Sequence, residues 1–190
     1  MGSRNAAAQR TRTVILDAAE RLLAERWYDE VTLADIAREA GVSQQTIVNH
    51  FGSKGQLYLV GLEERTGPRI TKHRAAVRVG DLASVVDVAV SDYEQSGPGT
   101  LRMLALADRI DALAEAAEYG RRAHRAWVES ALAPQIAALD PARRARATRL
   151  LVAALDVFTW AQLRQAQGLD AAATRADLEA LVEGILAHAA

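Results

Sequence analysis

The chain has 190 residues, 50% of them hydrophobic, with 23 basic and 24 acidic side chains and a net charge of −1. That is enough apolar mass for a real core, and the balance excludes a polycation that coats nucleic acid in bulk. With no cysteine, a disulfide frame, a thiol nucleophile and a Cys-ligated zinc site are also excluded. No apolar run reaches membrane-spanning length and MGSRNAAAQRTR lacks the apolar centre of a signal peptide, so a soluble, cytoplasmic protein with no membrane partner is expected.

What basic character exists must be local. Residues 1–74 hold 11 basic and 9 acidic side chains and residues 75–190 hold 12 and 15, so the positive excess lies at the N-terminal end. Arg outnumbers Lys 21 to 2 and Ala is abundant, a usage that fits a GC-rich bacterial source.

Residues 1–9 are small and polar and are expected to form a flexible tail. Arg10 and Arg12 then open a helix to about Glu25, whose apolar stripe is Val14, Ile15, Ala18, Ala19, Leu22 and Leu23. Trp27, Tyr28 and Asp29 make a turn, with both aromatic rings expected to pack beneath the helices that follow.

Thr32 to Lys54 reads as two short helices and a tight turn. Thr32 caps the first, with Asp35 reaching back to it, and Leu33, Ile36, Ala37 and Ala40 form its buried face. Gly41 must end that helix, because a residue without Cβ enters the left-handed conformation cheaply. Ser43 caps the second helix, which buries Ile47 and Phe51 and turns Gln44, Gln45, Val48 and Asn49 outward. A small residue at the helix contact, a turn glycine and an amide-rich outer face are what a helix–turn–helix needs to meet base edges, although an ordinary helical corner has the same outline. Ser53 and Lys54 then start a further helix. A cation in a first turn opposes the helix dipole, and a phosphate in front of it would explain that cost.

Residues 11–60 resemble the DNA-binding domain of the TetR (tetracycline-repressor-like) family. The motifs are Ile15-Leu16-Asp17-Ala18-Ala19, Thr32-Leu33-x-x-Ile36-Ala37, Ala40-Gly41-Val42-Ser43, Thr46-Ile47 and His50-Phe51-x-x-Lys54-x-x-Leu57. The resemblance implies a DNA-reading surface of Ser43, Gln44, Gln45, Thr46, Val48 and Asn49, flanked by Thr32, His50 and Lys54 on phosphate, with Arg10 or Arg12 beside the backbone. Gln44, Gln45 and Asn49 are the candidates for base edges, and amides pair best with adenine, so A·T pairs are expected at critical positions. Two departures matter. Val48 stands where the family commonly has a tyrosine, trading a hydroxyl for a group that can meet a thymine methyl, and Ala34 replaces a longer polar side chain.

After Lys54, a helix carries Leu57, Tyr58, Val60 and Leu62 to Arg65, and Gly67-Pro68 is expected to break or kink it. This sets the expected boundary between a reading domain over 10–66 and a second helical domain over 67–190. In the second domain the sequence predicts a helix from Gly80-Asp81 to Gln95, a loop at Ser96–Gly99, and a helix over Leu101–Ile110. Further helices follow over Leu113–Leu139, interrupted near Pro134, over Pro141–Gln167, and from Asp170 or Thr174 to about His188. The fold class is therefore all-α. Leu150, Leu151, Leu155, Phe158, Leu178, Leu181, Val182 and Ile185 give the last two helices apolar faces wide enough for a homodimer, although burial within one copy accounts for them equally.

No clustered titratable chemistry is evident. His50, His73, His124 and His188 are scattered, and no zinc-protease, hydrolase or phosphate-loop motif occurs, so no catalytic residue, metal or cofactor is expected. His124 among Arg121, Arg122 and Arg125 reads as a solvated basic turn, and Arg143, Arg144, Arg146 and Arg149 as an exposed face. The resemblance implies a transcriptional regulator, a repressor that binds a palindromic operator in double-stranded DNA as a homodimer through its two C-terminal helices. A small-molecule effector among the C-terminal helices would release it, and Tyr93, Met103, Trp127, Phe158 and Trp160 are candidates to line that pocket. The rivals are a helical small-molecule-binding protein with a non-functional reading head and a helical enzyme using His124 or Asp156.

Overall fold

A computed structural model describes residues 2–189, and every regular element among them is helical. The chain divides into two compact units. One comprises the residues up to Pro68 with Arg102–Ala117, and the other comprises Arg69–Leu101 with the residues from Glu118 onward.

In the N-terminal unit, α1 (Gly2–Glu25) begins earlier than the predicted Arg10. Ala6, Ala7 and Ala8 are the strongest helix formers available, so the exposed residues 5–9 continue the helix; Met1 lies outside the described residues. α2 (Leu33–Ala40), α3 (Gln44–Phe51) and α4 (Lys54–Gly61) follow, each with a hydroxyl residue at its N-cap: Thr32, Ser43 and Ser53. Together they bury Ile15, Leu16, Ala18, Ala19, Val31, Ile36, Ala37, Ile47, Phe51 and Leu57. Gly41 has φ 66°, and its N–H and that of Val42 close α2 on the carbonyls of Ala37 and Arg38. Trp27 does not pack beneath the helices; it is 40% exposed, while Tyr28 meets Tyr58 edge-on at 5.5 Å.

Gly67-Pro68, expected to break or kink the helix, distorts it without ending it. Residues Leu62–Thr66 widen into a π turn that leads directly into α5 (Gly67–Arg74). Proline clashes with the carbonyl four residues back, here Glu64, and the wide turn relieves this by bonding Gly67 N–H to Leu62 O, five residues back. Two arginines tie this turn to α1, Arg12 to Glu64 and Arg65 to Asp17. Residues 102–117 join this unit rather than the second domain predicted for them. Arg102 donates to Ala24 O, and Ala112 Cβ lies 3.0 Å from where a Cβ on Gly55 would stand, a close approach that glycine eases.

In the C-terminal unit the predicted loop at Ser96–Gly99 is absent, and α6 runs unbroken over Leu82–Leu104 with Pro98 inside it. The hydroxyls of Ser96 and Thr100 donate to the carbonyls of Asp92 and Ser96 at 2.9 and 3.0 Å, supplying donors around the N–H that proline lacks. Gly97 faces Trp160, which is buried and held by Glu94 Oε1 at 3.0 Å. A Cβ at position 97 would lie 2.5 Å from Trp160 Cζ3. Alanine favours a helix interior by about 1 kcal/mol over glycine, but forcing a pinned indole aside costs about 1–3 kcal/mol. Gly97→Ala is therefore expected to lower stability in denaturant titration, and an unchanged or raised midpoint would show that the ring yields freely.

α7 (Asp111–Ala131) and α8 (Ala133–Ala138) follow the predicted interruption near Pro134. The long helix predicted over Pro141–Gln167 is instead α9 (Pro141–Ala154), α10 (Val157–Ala161) and a second π turn, Gln162–Ala166. Asp156 separates them because its carboxylate accepts from Phe158 N–H at 3.0 Å, a capping geometry no helix interior allows. α11 (Ala171–Ala189) closes the chain and packs on α9. The apolar faces of these helices divide: Leu151, Leu155, Leu178 and Val182 are buried, whereas Leu150, Phe158 and Leu181 face solvent.

Candidate nucleic-acid interface

α3 presents the predicted face. Gln44, Gln45, Val48 and Asn49 are all exposed, because Ile47 and Phe51 on the opposite side anchor the helix in the core. Gln45 Nε2 donates to Asn49 Oδ1 at 2.9 Å, so the amides one turn apart hold each other in place, a pairing that limits their rotamers. Ser43 and Thr46 serve the helix itself: Ser43 Oγ accepts from Thr46 N–H at 3.0 Å and lies 2.8 Å from Thr46 Oγ1.

The flanking residues expected on phosphate divide differently. Thr32 is exposed, but its hydroxyl and N–H are both committed to Asp35 in the capping box, which with those bonds holds the Asp35 carboxyl down to about 2. Arg12 bonds Glu64 at 2.7 Å through Nη2 and lies 5.2 Å over the Phe51 ring. Arg10 remains exposed, and His50 is half-buried with its ring 6.1 Å from that of Phe51.

Lys54 departs furthest from expectation. Its Nζ donates to the carbonyls of Tyr28 and Val31 at 2.8 and 2.9 Å and lies 4.1 Å from the centre of the Tyr28 ring. Those carbonyls offset the cation at the start of α4. Burial draws the ammonium below the usual lysine range, with Asp29 opposing. The Tyr58 hydroxyl, buried beside the same ring, is pushed up to about 12.

The N-terminal segment also settles its kinship. Residues 15–60 match the model for bacterial regulatory proteins of the tetR family. Those residues carry the N-terminal domain of the tetR family. Among curated relatives, the transcriptional regulator AlkX of Mycobacterium tuberculosis is 46% identical over 57 residues, 28% of this chain and 27% of that protein. The chain spans about a quarter of the length of the curated relatives it matches. Similarity over the whole length is a likeness of fold. A TetR-family transcriptional regulator from Streptomyces coelicolor superposes with a TM-score of 0.72 at 21% identity, over 99% of this chain and 85% of that one. A structure of SmeT complexed with triclosan does so at 0.63 and 21%, over 94% and 90%.

The C-terminal unit holds a charged pair within its mostly apolar interior. Arg74 and Asp92 form a buried ion pair at 2.8 Å, with side chains only 12% and 6% exposed. The guanidinium lies 4.9 Å from the Trp127 ring and 6.0 Å from that of Tyr93. Trp127 Nε1 donates to Arg74 O at 3.3 Å, and the Tyr93 hydroxyl donates to Leu155 O at 3.1 Å. Of the predicted pocket residues, Tyr93, Trp127 and Trp160 come together in this unit, with Tyr93 and Trp160 6.0 Å apart. Phe158 and Met103 do not join them. Phe158 is 60% exposed, and Met103 belongs to the N-terminal unit.

His124 is not part of a solvated basic turn. It is buried, while Arg121, Arg122 and Arg125 pair outward with Glu118 and Glu129. The sequence held signals for this interior. His124 continues the stripe Leu113, Ala116, Ala117, Val128 and Ala131 at helical spacing, and Asp92 sits on the face of Val85, Val88 and Ala89.

Proposed function

We propose that the chain is a DNA-binding transcriptional regulator, a repressor that binds a palindromic operator as a homodimer and is released by a small-molecule effector. The observation that carries the reading is the exposed, internally braced amide face of α3, Gln44, Gln45 and Asn49 with Val48, on a helix capped by Ser43. Amides meet adenine N6 and N7, and Val48 offers an apolar surface for a thymine methyl. The tetR-family domain at residues 15–60 supports the reading, as does the fold likeness to a protein solved as a complex with triclosan.

Direct base readout belongs to Gln44, Gln45 and Asn49. Arg10, exposed on α1, is the leading phosphate contact, joined by His50. Thr32 acts through the helix it caps and Lys54 through the loop it clamps. Leu150, Phe158 and Leu181 supply the exposed apolar surface by which two copies pair, since reading two half-sites about 34–36 Å apart needs two heads.

Selection of bound sequences from a random DNA pool tests this directly, and the expected product is a palindrome with A·T pairs in each half-site. Gln45→Ala is expected to relax base choice at one position per half-site by about 1–3 kcal/mol. Enrichment of no sequence by the folded protein would instead favour a small-molecule-binding protein whose reading head is silent.

A further inference from the structure

His124 lies in the C-terminal unit with 6% of its surface exposed, and its ring has unequal ends. Nε2 stands 3.0 Å from Val152 O, and a carbonyl can only accept, so Nε2 carries the proton. Nδ1 is therefore a bare acceptor, and it is buried with no partner among the described residues. Leaving such an atom unpaired is costly.

We propose that the interior of the C-terminal unit holds a ligand site in which His124 Nδ1 accepts a hydrogen bond from a neutral hydroxyl on an aromatic body, a phenol, with Trp127 as the adjoining wall. Trp127 is half-buried, with its ring 6.2 Å from the imidazole. The charges nearby select for neutrality. Arg74, over Trp127, repels an ammonium, while Asp92, which neutralises Arg74, and the Nδ1 lone pair both repel a carboxylate. Burial holds the imidazole below its ordinary range, and Arg74 acts in the same direction against the Val152 bond, Asp156 and Asp92, so the acceptor form persists at neutral pH. The site rests on the effector reading above and gives that effector a chemical class.

A matched pair of probes tests it on the full-length protein: 2-naphthol, which has the donor, and 2-methoxynaphthalene, which lacks it. Calorimetry should show 2-naphthol binding at least about tenfold more tightly, and the preference should fall below about twofold in His124→Phe, whose folding is checked by thermal denaturation. With histidine labelled by nitrogen-15, the His124 Nδ1 resonance of the unaltered protein should move upfield with 2-naphthol and stay in place with its ether, a readout that needs no variant. Equal binding of the two probes, binding of neither, an unmoved Nδ1 signal, or a preference that survives in His124→Phe would each overturn the site. Discrimination by a protein that selects no DNA would leave this site standing and remove the regulator reading. DNA selection without discrimination would do the reverse.

Discussion

Asp92→Ala should be among the most damaging single substitutions in this protein, lowering stability by about 3–5 kcal/mol. The side chain is small and the lost packing is minor, so nearly all of the effect comes from what stays behind. Arg74, 12% exposed, would keep a full charge in a mostly apolar interior with no carboxylate bonded to it and the rings of Trp127 and Tyr93 beside it. A cation above an aromatic ring gains about 1–2 kcal/mol when desolvated, well short of a lost carboxylate partner. In a chain of this length each kcal/mol shifts the melting midpoint by about 2–4 °C, so a fall of about 6–20 °C is expected. Asp87→Ala is the control. Asp87 pairs with Arg175 at 2.8 Å, but the carboxylate is 64% exposed, and such pairs contribute less than about 1 kcal/mol. The double variant Arg74→Met, Asp92→Leu should recover most of the loss, since removing both charges leaves nothing stranded. If Asp92→Ala melts within a degree of Asp87→Ala, the pair is not the keystone its burial indicates.

That ion pair also marks the limit of what could be read from the residues alone. The caps and the turn of α2 and α3 were legible, because their signals are local. Thr32 with Asp35, Gly41, Ser43 and the outward amides each act within a few positions, and each stands where spacing placed it. Prolines misled for the opposite reason. Gly67-Pro68 was expected to break or kink its helix and Ser96–Gly99 to form a loop, but a π turn carries the chain through the first and α6 runs through the second. Whether such a helix survives depends on packing, as between Gly97 and Trp160, far apart in the chain. The same holds for Arg74 with Asp92 and for His124, whose burial comes from helices distant in sequence. Helical spacing puts Asp92 and His124 on buried stripes, but the arginines around His124 read as a solvated turn, and no spacing announces the charge partner and the carbonyl that meet them.

Lys54→Met should weaken the protein without changing how its DNA binding responds to salt. Methionine keeps most of the lysine stem and loses the ammonium, so the substitution isolates the charge and its donors. The two bonds it removes, to Tyr28 O and Val31 O, are charge-assisted, but the group is only part-buried and water can reach the freed carbonyls. About 2 kcal/mol is a reasonable expectation, or about 4–8 °C in the melting midpoint. Tyr28 and Val31 frame the turn that delivers Thr32 to the start of α2, so loosening it misplaces the reading head as a whole. Affinity should therefore fall by a similar factor on every DNA sequence. A lysine that neutralises a phosphate releases a counterion on binding, and losing it reduces the slope of log affinity against log salt by about 1. A lysine already bound to two carbonyls releases none. Arg10→Ala, by contrast, should reduce that slope while leaving the melting midpoint within about 1 °C, as expected for an exposed side chain with no partner among the described residues. A reduced slope for Lys54→Met at unchanged stability would return Lys54 to the phosphate backbone.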